Sequence, residues 1–170
     1  MFLLADEVWK LVSAETAGSR LVQRSGPSTK RESGHGKCIM NDLSEWRVLI
    51  VDDDPENVGV LELVLDFNNV PTRTASSGQE CLQLMHEERP SVVLVDIQMP
   101  EMSGYDLLNK IRENKQWNDI PIIAVTAHAM RGDEERIIQA GFSGYISKPV
   151  NVTSLIDDLR DILDHGENHE

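Results

Sequence analysis

Three short runs along the chain, Val48-Leu49-Ile50-Val51, Val92-Val93-Leu94-Val95 and Ile122-Ile123-Ala124-Val125, are apolar at every position and mostly β-branched. That is the pattern of central parallel strands covered on both faces. Val70-Pro71-Thr72-Arg73-Thr74-Ala75 alternates instead, and Pro71, which has no N–H to give to a ladder, assigns it to a sheet edge. Gly144-Tyr145-Ile146-Ser147 supplies a weaker fifth strand for the other edge. Helical spacing fills the intervals. Residues 55–67 set Val58, Leu61, Val64 and Leu65 on one stripe, 78–88 carry Cys81, Leu84 and Met85, and 104–115 bring Leu107, Leu108 and Ile111 together. Residues 133–140 and 152–164 complete the series, the last with Leu155, Ile156, Leu159, Ile162 and Leu163. Ser77 with Glu80 predicts a capping box for the second helix. Asp133, Glu134 and Glu135 followed by Gly141 give the fourth an acidic start and a glycine end. Five βα units predict a doubly wound five-stranded parallel sheet with five helices and right-handed crossovers.

Charge divides the chain. The net charge is -13, but residues 1–45 carry six basic and six acidic side chains, so all of the excess acidity lies after residue 45. An acidic surface repels polyphosphate at long range, which argues against nucleic acid and anionic lipid as partners. In residues 1–45, Leu3, Leu4, Val8, Leu11 and Val12 recur at roughly helical spacing ahead of a Gly- and Ser-rich stretch. This reads as a short amphipathic helix on a tether or, equally, as an extension upstream of a natural start at Met40. The expected division is an extension over 1–45, a folded domain over 46–165 and a tail over 166–170. Two cysteines, Cys38 and Cys81, make neither a disulfide framework nor a zinc spacing. The N-terminus has no export signal, and no run reaches the roughly 18 apolar residues of a membrane span. The expectation is a soluble protein of the reducing cytoplasm.

In a parallel α/β sheet the site forms beyond the carboxyl ends of the strands. Asp52, Asp53, Asp54 and Pro55 follow the first run, Asp96 the third strand, Thr126 the fourth, and Lys148-Pro149 the fifth. Asp54 and Pro55 suit an N-cap and the first helical position. An acidic pair ahead of a helix is ordinarily a solvated cap, but coincidence with three other polar strand ends points to a site. Asp52, Asp53 and Asp96 would repel one another unless a hard cation joined them, and magnesium fits oxygen ligands of this kind.

Residues 46–165 resemble the receiver domain of bacterial two-component response regulators, of the single-domain chemotaxis or cell-cycle type. Four segments carry the likeness in order: Val48 to Pro55, Val95 to Gly104 (VDIQMPEMSG), Pro121 to Ala127 (PIIAVTA) and Gly144 to Pro149 (GYISKP). The resemblance implies a flavodoxin-like strand order 2-1-3-4-5 and makes Asp96 the phosphoryl acceptor. Asp53 would then ligate magnesium directly, Asp52 mainly through water, and the Gln98 carbonyl would complete the protein ligands. Thr126 and Lys148 would contact phosphoryl oxygens, Tyr145 would be the switch aromatic, and Lys148-Pro149 would be cis. The implied donor is a sensor histidine kinase or histidine phosphotransfer protein. The implied output is a protein target bound through the 133–164 face, by a monomer or a phosphorylation-dependent dimer, with self-catalysed phosphotransfer and dephosphorylation rather than an enzyme's activity on a separate substrate.

Gln98 and His128 each lie two residues beyond a site residue, where side chains could set the lifetime of the phosphorylated state; His128 reads equally as a solvated loop residue. His35, His86, His165 and His169 have no nucleophilic or metal context. An aspartyl-nucleophile phosphatase would need a second acid where Gln98 stands. A phosphate-free scaffold would not need the acidic site, and a nucleotide enzyme would need a glycine-rich loop after the first strand. A receiver segment of a hybrid histidine kinase is a further alternative. The six residues beyond 164 hold no output domain, so signalling is expected to pass through protein contacts.

Overall fold

The computed structural model describes residues 43–127 and 133–165. The chain divides into units Met1–Ile39 and Met40–Glu170, and the described residues lie in the second. The expectations placed on residues 1–42, on His128, on the tail 166–170 and on the His165 side chain lie outside the described residues.

After a 3-10 turn at Leu43–Glu45, strands and helices alternate: β1 Val48–Val51, α1 Pro55–Phe67, β2 Thr72–Ala75, α2 Gly78–Glu87, β3 Val92–Asp96, α3 Gly104–Glu113, β4 Ile122–Thr126, α4 Asp133–Ala140, β5 Gly144–Ser147 and α5 Leu155–His165. The five strands form one sheet in the order β2-β1-β3-β4-β5, and every pair is parallel. The doubly wound fold read from the sequence is the fold observed.

The unbroken apolar strands bury both faces, and residue parity sorts them into two layers. Leu49, Val51, Val93, Val95 and Ala124 meet α2, α3 and α4 through Cys81, Met85, Leu107, Leu108, Ile111 and Ile137. Val48, Ile50, Val92, Leu94, Ile123 and Val125 meet α1 and α5 through Leu61, Val64, Leu65, Leu155 and Leu159. At about 1.5–3 kcal/mol for each large side chain withdrawn from water, these two layers dominate the stability. They also hold four strand ends in register beneath the site.

Among the element boundaries that differ from the sequence reading, four have a clear local reason. Val70 is buried but donates its N–H to the Leu65 carbonyl at 2.9 Å, so it closes α1 and β2 begins only at Thr72. Helix α2 stops at Glu87 because Glu88 is extended (φ -144°) and caps it. Helix α3 stops at Glu113 because Asn114 is extended and its side chain caps a separate 3-10 turn, Lys115–Trp117. Residues 152–154 form a turn organised by the Asn151 side chain, which accepts from the Thr153 N–H at 3.1 Å and hydroxyl at 2.8 Å.

The capping box expected at α2 is half made. Ser77 accepts from the Glu80 N–H at 3.2 Å, but the Glu80 carboxylate goes to the N–H and hydroxyl of Ser76 at 2.8 and 2.7 Å. The complete box is at α3, where Ser103 and Asp106 satisfy each other's N–H.

Two glycines separate packing from propensity. A Cβ on Gly104 would lie 2.6 Å from the Asp96 carbonyl oxygen and 2.9 Å from the Ile97 Cα, both backbone atoms that cannot rotate away. A Cβ on Gly59, in mid-α1, meets nothing within 4 Å. Gly104→Ala is expected to lose about 1–3 kcal/mol and Gly59→Ala to gain about 0.5–1 kcal/mol, measured by urea denaturation. Equal midpoints for the two variants would contradict this account of the α3 entry.

Candidate functional site

Asp52 leaves the end of β1 with its backbone N–H bonded to the Ala75 carbonyl at 3.1 Å, and its side chain is only 2% exposed. Its neighbour Asp53 projects outward and is exposed. Asp54 turns the chain into α1, accepting the Glu56 N–H at 2.9 Å with Pro55 opening the helix. The Asp54 N–H in turn donates to Asp52 Oδ1 at 2.9 Å. Asp54 and Pro55 are thus helix-forming residues, as the sequence suggested.

Asp96 ends β3, nearly buried, with Oδ1 accepting the Gln98 N–H at 3.1 Å. Gln98 is itself exposed. Thr126 ends β4 and is 2% exposed; its carbonyl accepts the Lys148 N–H at 2.8 Å. Lys148 follows β5 and precedes exposed Pro149 across a cis peptide bond. Its ammonium lies 2.8 Å from Asp52 Oδ2 and 2.8 Å from Asp96 Oδ2. Asp52, Asp53, Asp96, Thr126 and Lys148 therefore sit at one rim.

Burial works against the Lys148 charge, but hydrogen bonds and Coulomb attraction from Asp52 and Asp96 outweigh it and push its pKa above the ordinary lysine value. Tyr145, half-buried on β5, is bonded to Glu134 of α4, and that bond, with burial and the Glu134 charge, pushes its phenol pKa up. The sequence reading missed Glu134 because nothing in its spacing links it to Tyr145. It also missed Asn57, whose Nδ2 reaches Asp52 Oδ1 at 3.4 Å. A carboxamide one helical turn beyond an acidic pair is the signal that would have found it. His86 packs edge-on against Trp117, ring centroids 4.7 Å apart, away from these residues.

The arrangement suits a divalent cation. Oxygens of Asp52, Asp53 and Asp96 lie within 4.8 Å of one another, and one ammonium faces three carboxylates, leaving a formal excess of two negative charges. Among the described residues no hydrogen bond or ion pair reaches the Asp53 carboxylate, so it is open to an ion at the solvent side. An all-oxygen set with room for water and phosphate oxygens is what magnesium takes.

A parallel α/β sheet bearing this acidic rim belongs to a recognisable class, and sequence comparison agrees: residues 48–160 match the response regulator receiver domain family. The chain belongs to that family and is a receiver domain of the two-component response regulator type. It is 40% identical over 116 residues to the polar-differentiation response regulator DivK of Brucella ovis, a match covering 68% of this chain and 94% of that protein. The receiver domain of the Pseudomonas aeruginosa sensor histidine kinase PA1611, which has magnesium coordinated in its active-site cleft, superposes with a TM-score of 0.63 at 29% identity, over 70% of this chain and 98% of that one. The Ssk1 receiver domain of Saccharomyces cerevisiae, in complex with the phosphotransfer protein Ypd1, gives 0.61 at 27% identity over 66% and 85%. No helix among the described residues is long and apolar enough to cross a membrane.

The raised Lys148 pKa fixes the sign of an alkaline effect. Above the ordinary lysine value of about 10.4 the unfolded chain deprotonates first, so the contribution of Lys148 is complete below that pH and is lost as pH rises through the higher folded value. Lys148→Met should be less stable than the wild type at pH 8, and the gap should narrow as pH rises above that value. A gap constant from pH 8 to the alkaline limit, followed by urea denaturation, would refute the bridging role.

Proposed function

We propose that this receiver takes a phosphoryl group onto Asp96 from a phosphohistidine and passes the signal on by protein contact. The observation that carries the reading is the Lys148 ammonium held 2.8 Å from both Asp52 and Asp96. It sets a cation beside a nearly buried carboxylate in a site otherwise too acidic to admit a phosphoryl group.

An Asp96 oxygen attacks phosphorus in line, the P–N bond of the donor breaks, and the leaving imidazole keeps the electron pair and takes up a proton. Asp96 is a weak nucleophile made effective by position. Lys148 and the Thr126 hydroxyl bind the equatorial oxygens as they gain charge. Asp53, Asp96 and the Gln98 carbonyl would hold magnesium, with Asp52 acting through water; the ion supplies charge neutralisation on the phosphoryl oxygens. The acyl phosphate so formed is lost by hydrolysis in the same site, so the protein is a self-modifying acceptor rather than an enzyme with a separate substrate. Gln98, exposed and with its N–H on Asp96 Oδ1, is the residue we assign to tuning that hydrolysis.

The donor is read as a histidine kinase or phosphotransfer protein of the cytoplasm, a reading supported by the Ypd1 complex of the Ssk1 receiver. Val60, Leu63 and Phe67 are exposed on α1, whose N-terminus adjoins Asp53, and give a donor an apolar flank to seat on. Output is assigned to the surface of α4, β5 and α5, where Tyr145 bonds Glu134.

The test is incubation with magnesium and acetyl phosphate followed by intact mass. The wild type should gain one phosphoryl group, and chelating the magnesium or substituting Asp96→Asn should abolish the gain. An undiminished gain in Asp96→Asn would overturn the assignment.

A further inference from the structure

We propose that Asn57 is a positioning residue that holds Asp52 in place for magnesium while Lys148 is engaged with the phosphoryl group; this rests on the phosphoacceptor reading above. The inference comes from an account of the Asp52 oxygens. Oδ2 is taken by Lys148 at 2.8 Å. Oδ1 is shared by the Asp54 N–H at 2.9 Å and the Asn57 carboxamide at 3.4 Å. Every donor except Lys148 therefore comes from the N-cap and first turn of α1.

Asn57 has a more ordinary alternative use that it does not take. As the third residue of α1, after Pro55 and Glu56, it stands where a capping-box residue reaches back to the N-cap N–H. In this helix the Asp54 N–H is already bound to Asp52, so no capping partner remains for the Asn57 side chain. A carboxylate only accepts hydrogen bonds, so the Asn57 amino group faces it. The side chain, partly buried against the site, is committed to Asp52.

Its importance grows during the reaction. Lys148 has one ammonium for Asp52, Asp96 and the incoming phosphoryl oxygens. When it turns to the last of these, Oδ2 of Asp52 loses a donor, and a nearly buried carboxylate is left with only Asp54 N–H and Asn57 to fix its direction. Partners that orient ligands in this way govern metal affinity.

Asn57→Leu keeps the side-chain size and removes the donor; Asn57→Gln keeps the amino group on a longer stem. Magnesium dissociation constants are measured by NMR amide shifts in the absence of phosphodonor, alongside the thermal midpoint of each metal-free protein. Asn57→Leu should raise the magnesium Kd about tenfold or more, as loss of one hydrogen bond to a charged group implies. It should also slow phosphorylation by acetyl phosphate at saturating magnesium, with a thermal midpoint no lower than that of the wild type. Asn57→Gln should stay within about twofold of the wild type, since it keeps that hydrogen bond. A wild-type Kd in Asn57→Leu, or equal losses in both variants, overturns the role of Asn57 alone. A wild type that neither binds magnesium nor gains a phosphoryl group overturns the underlying reading instead.

Discussion

The constraint on which the rest depends is the sharing of one ammonium between two nearly buried carboxylates. Lys148 meets Asp52 across 96 positions of sequence and Asp96 across 52. A buried carboxylate without a partner is costly enough to unfold a marginal domain, so the ends of β1, β3 and β5 have to arrive together. Strand order determines the reach required. In β2-β1-β3-β4-β5 the end of β4 lies between Lys148 and both aspartates, so the ammonium must pass over Thr126. A long unbranched stem carrying a compact charge with three donors can do this, and the fixed planar fork of arginine is poorly suited to two separate carboxylate oxygens.

This geometry also explains why adjacent aspartates play different parts. Successive residues at a strand end point to opposite sides. Asp52 turns inward, where Lys148 and the first turn of α1 saturate it; Asp53 turns outward and stays available to an ion from solvent. Asp54 is drawn out of the site altogether by its work at the helix N-terminus. Three identical side chains in a row are thus sorted by backbone direction alone into an anchored carboxylate, an open carboxylate and a cap.

Much of this was legible from sequence because burial on both faces leaves an unmistakable mark: runs such as Val92 to Val95 cannot be edge strands, and the residue after each run must stand at the carboxyl rim. The rim residues Asp52, Asp53, Asp96, Thr126 and Lys148 followed directly. What was not legible depends on competition between donors. Glu80 looks like the partner of Ser77, but the two donors of Ser76 make a better offer to one carboxylate. Asp106 completes a box that the usual Glu or Gln would have advertised. Asn57 reads as an ordinary polar residue near a helix start until the Asp54 N–H is found already taken. Glu134 meets Tyr145 only because α4 packs beside β5, a tertiary fact that no local spacing encodes.

The last link is between the site and the opposite flank of β5. The Thr126 carbonyl holds the Lys148 N–H at 2.8 Å, so the main chain that carries the ammonium is tied to the strand end that carries the hydroxyl. Three residues before Lys148, on β5, Tyr145 faces Glu134 of α4, whose hydrogen bonding and charge raise its phenol pKa. Gly144 lets α5 press close, since a Cβ there would lie 2.5 Å from Ile162 Cγ2. A strand gripped at one end by the site, in its middle by α4 and from below by α5 cannot adjust to a new charge at Asp96 in one place only. Close packing converts a small movement of Lys148 into a choice between discrete arrangements of Tyr145 and its neighbours. Of the net acidity that lies after residue 45, the small excess at this rim is the part with a structural meaning, because there an ammonium in short supply must be divided among the groups that compete for it.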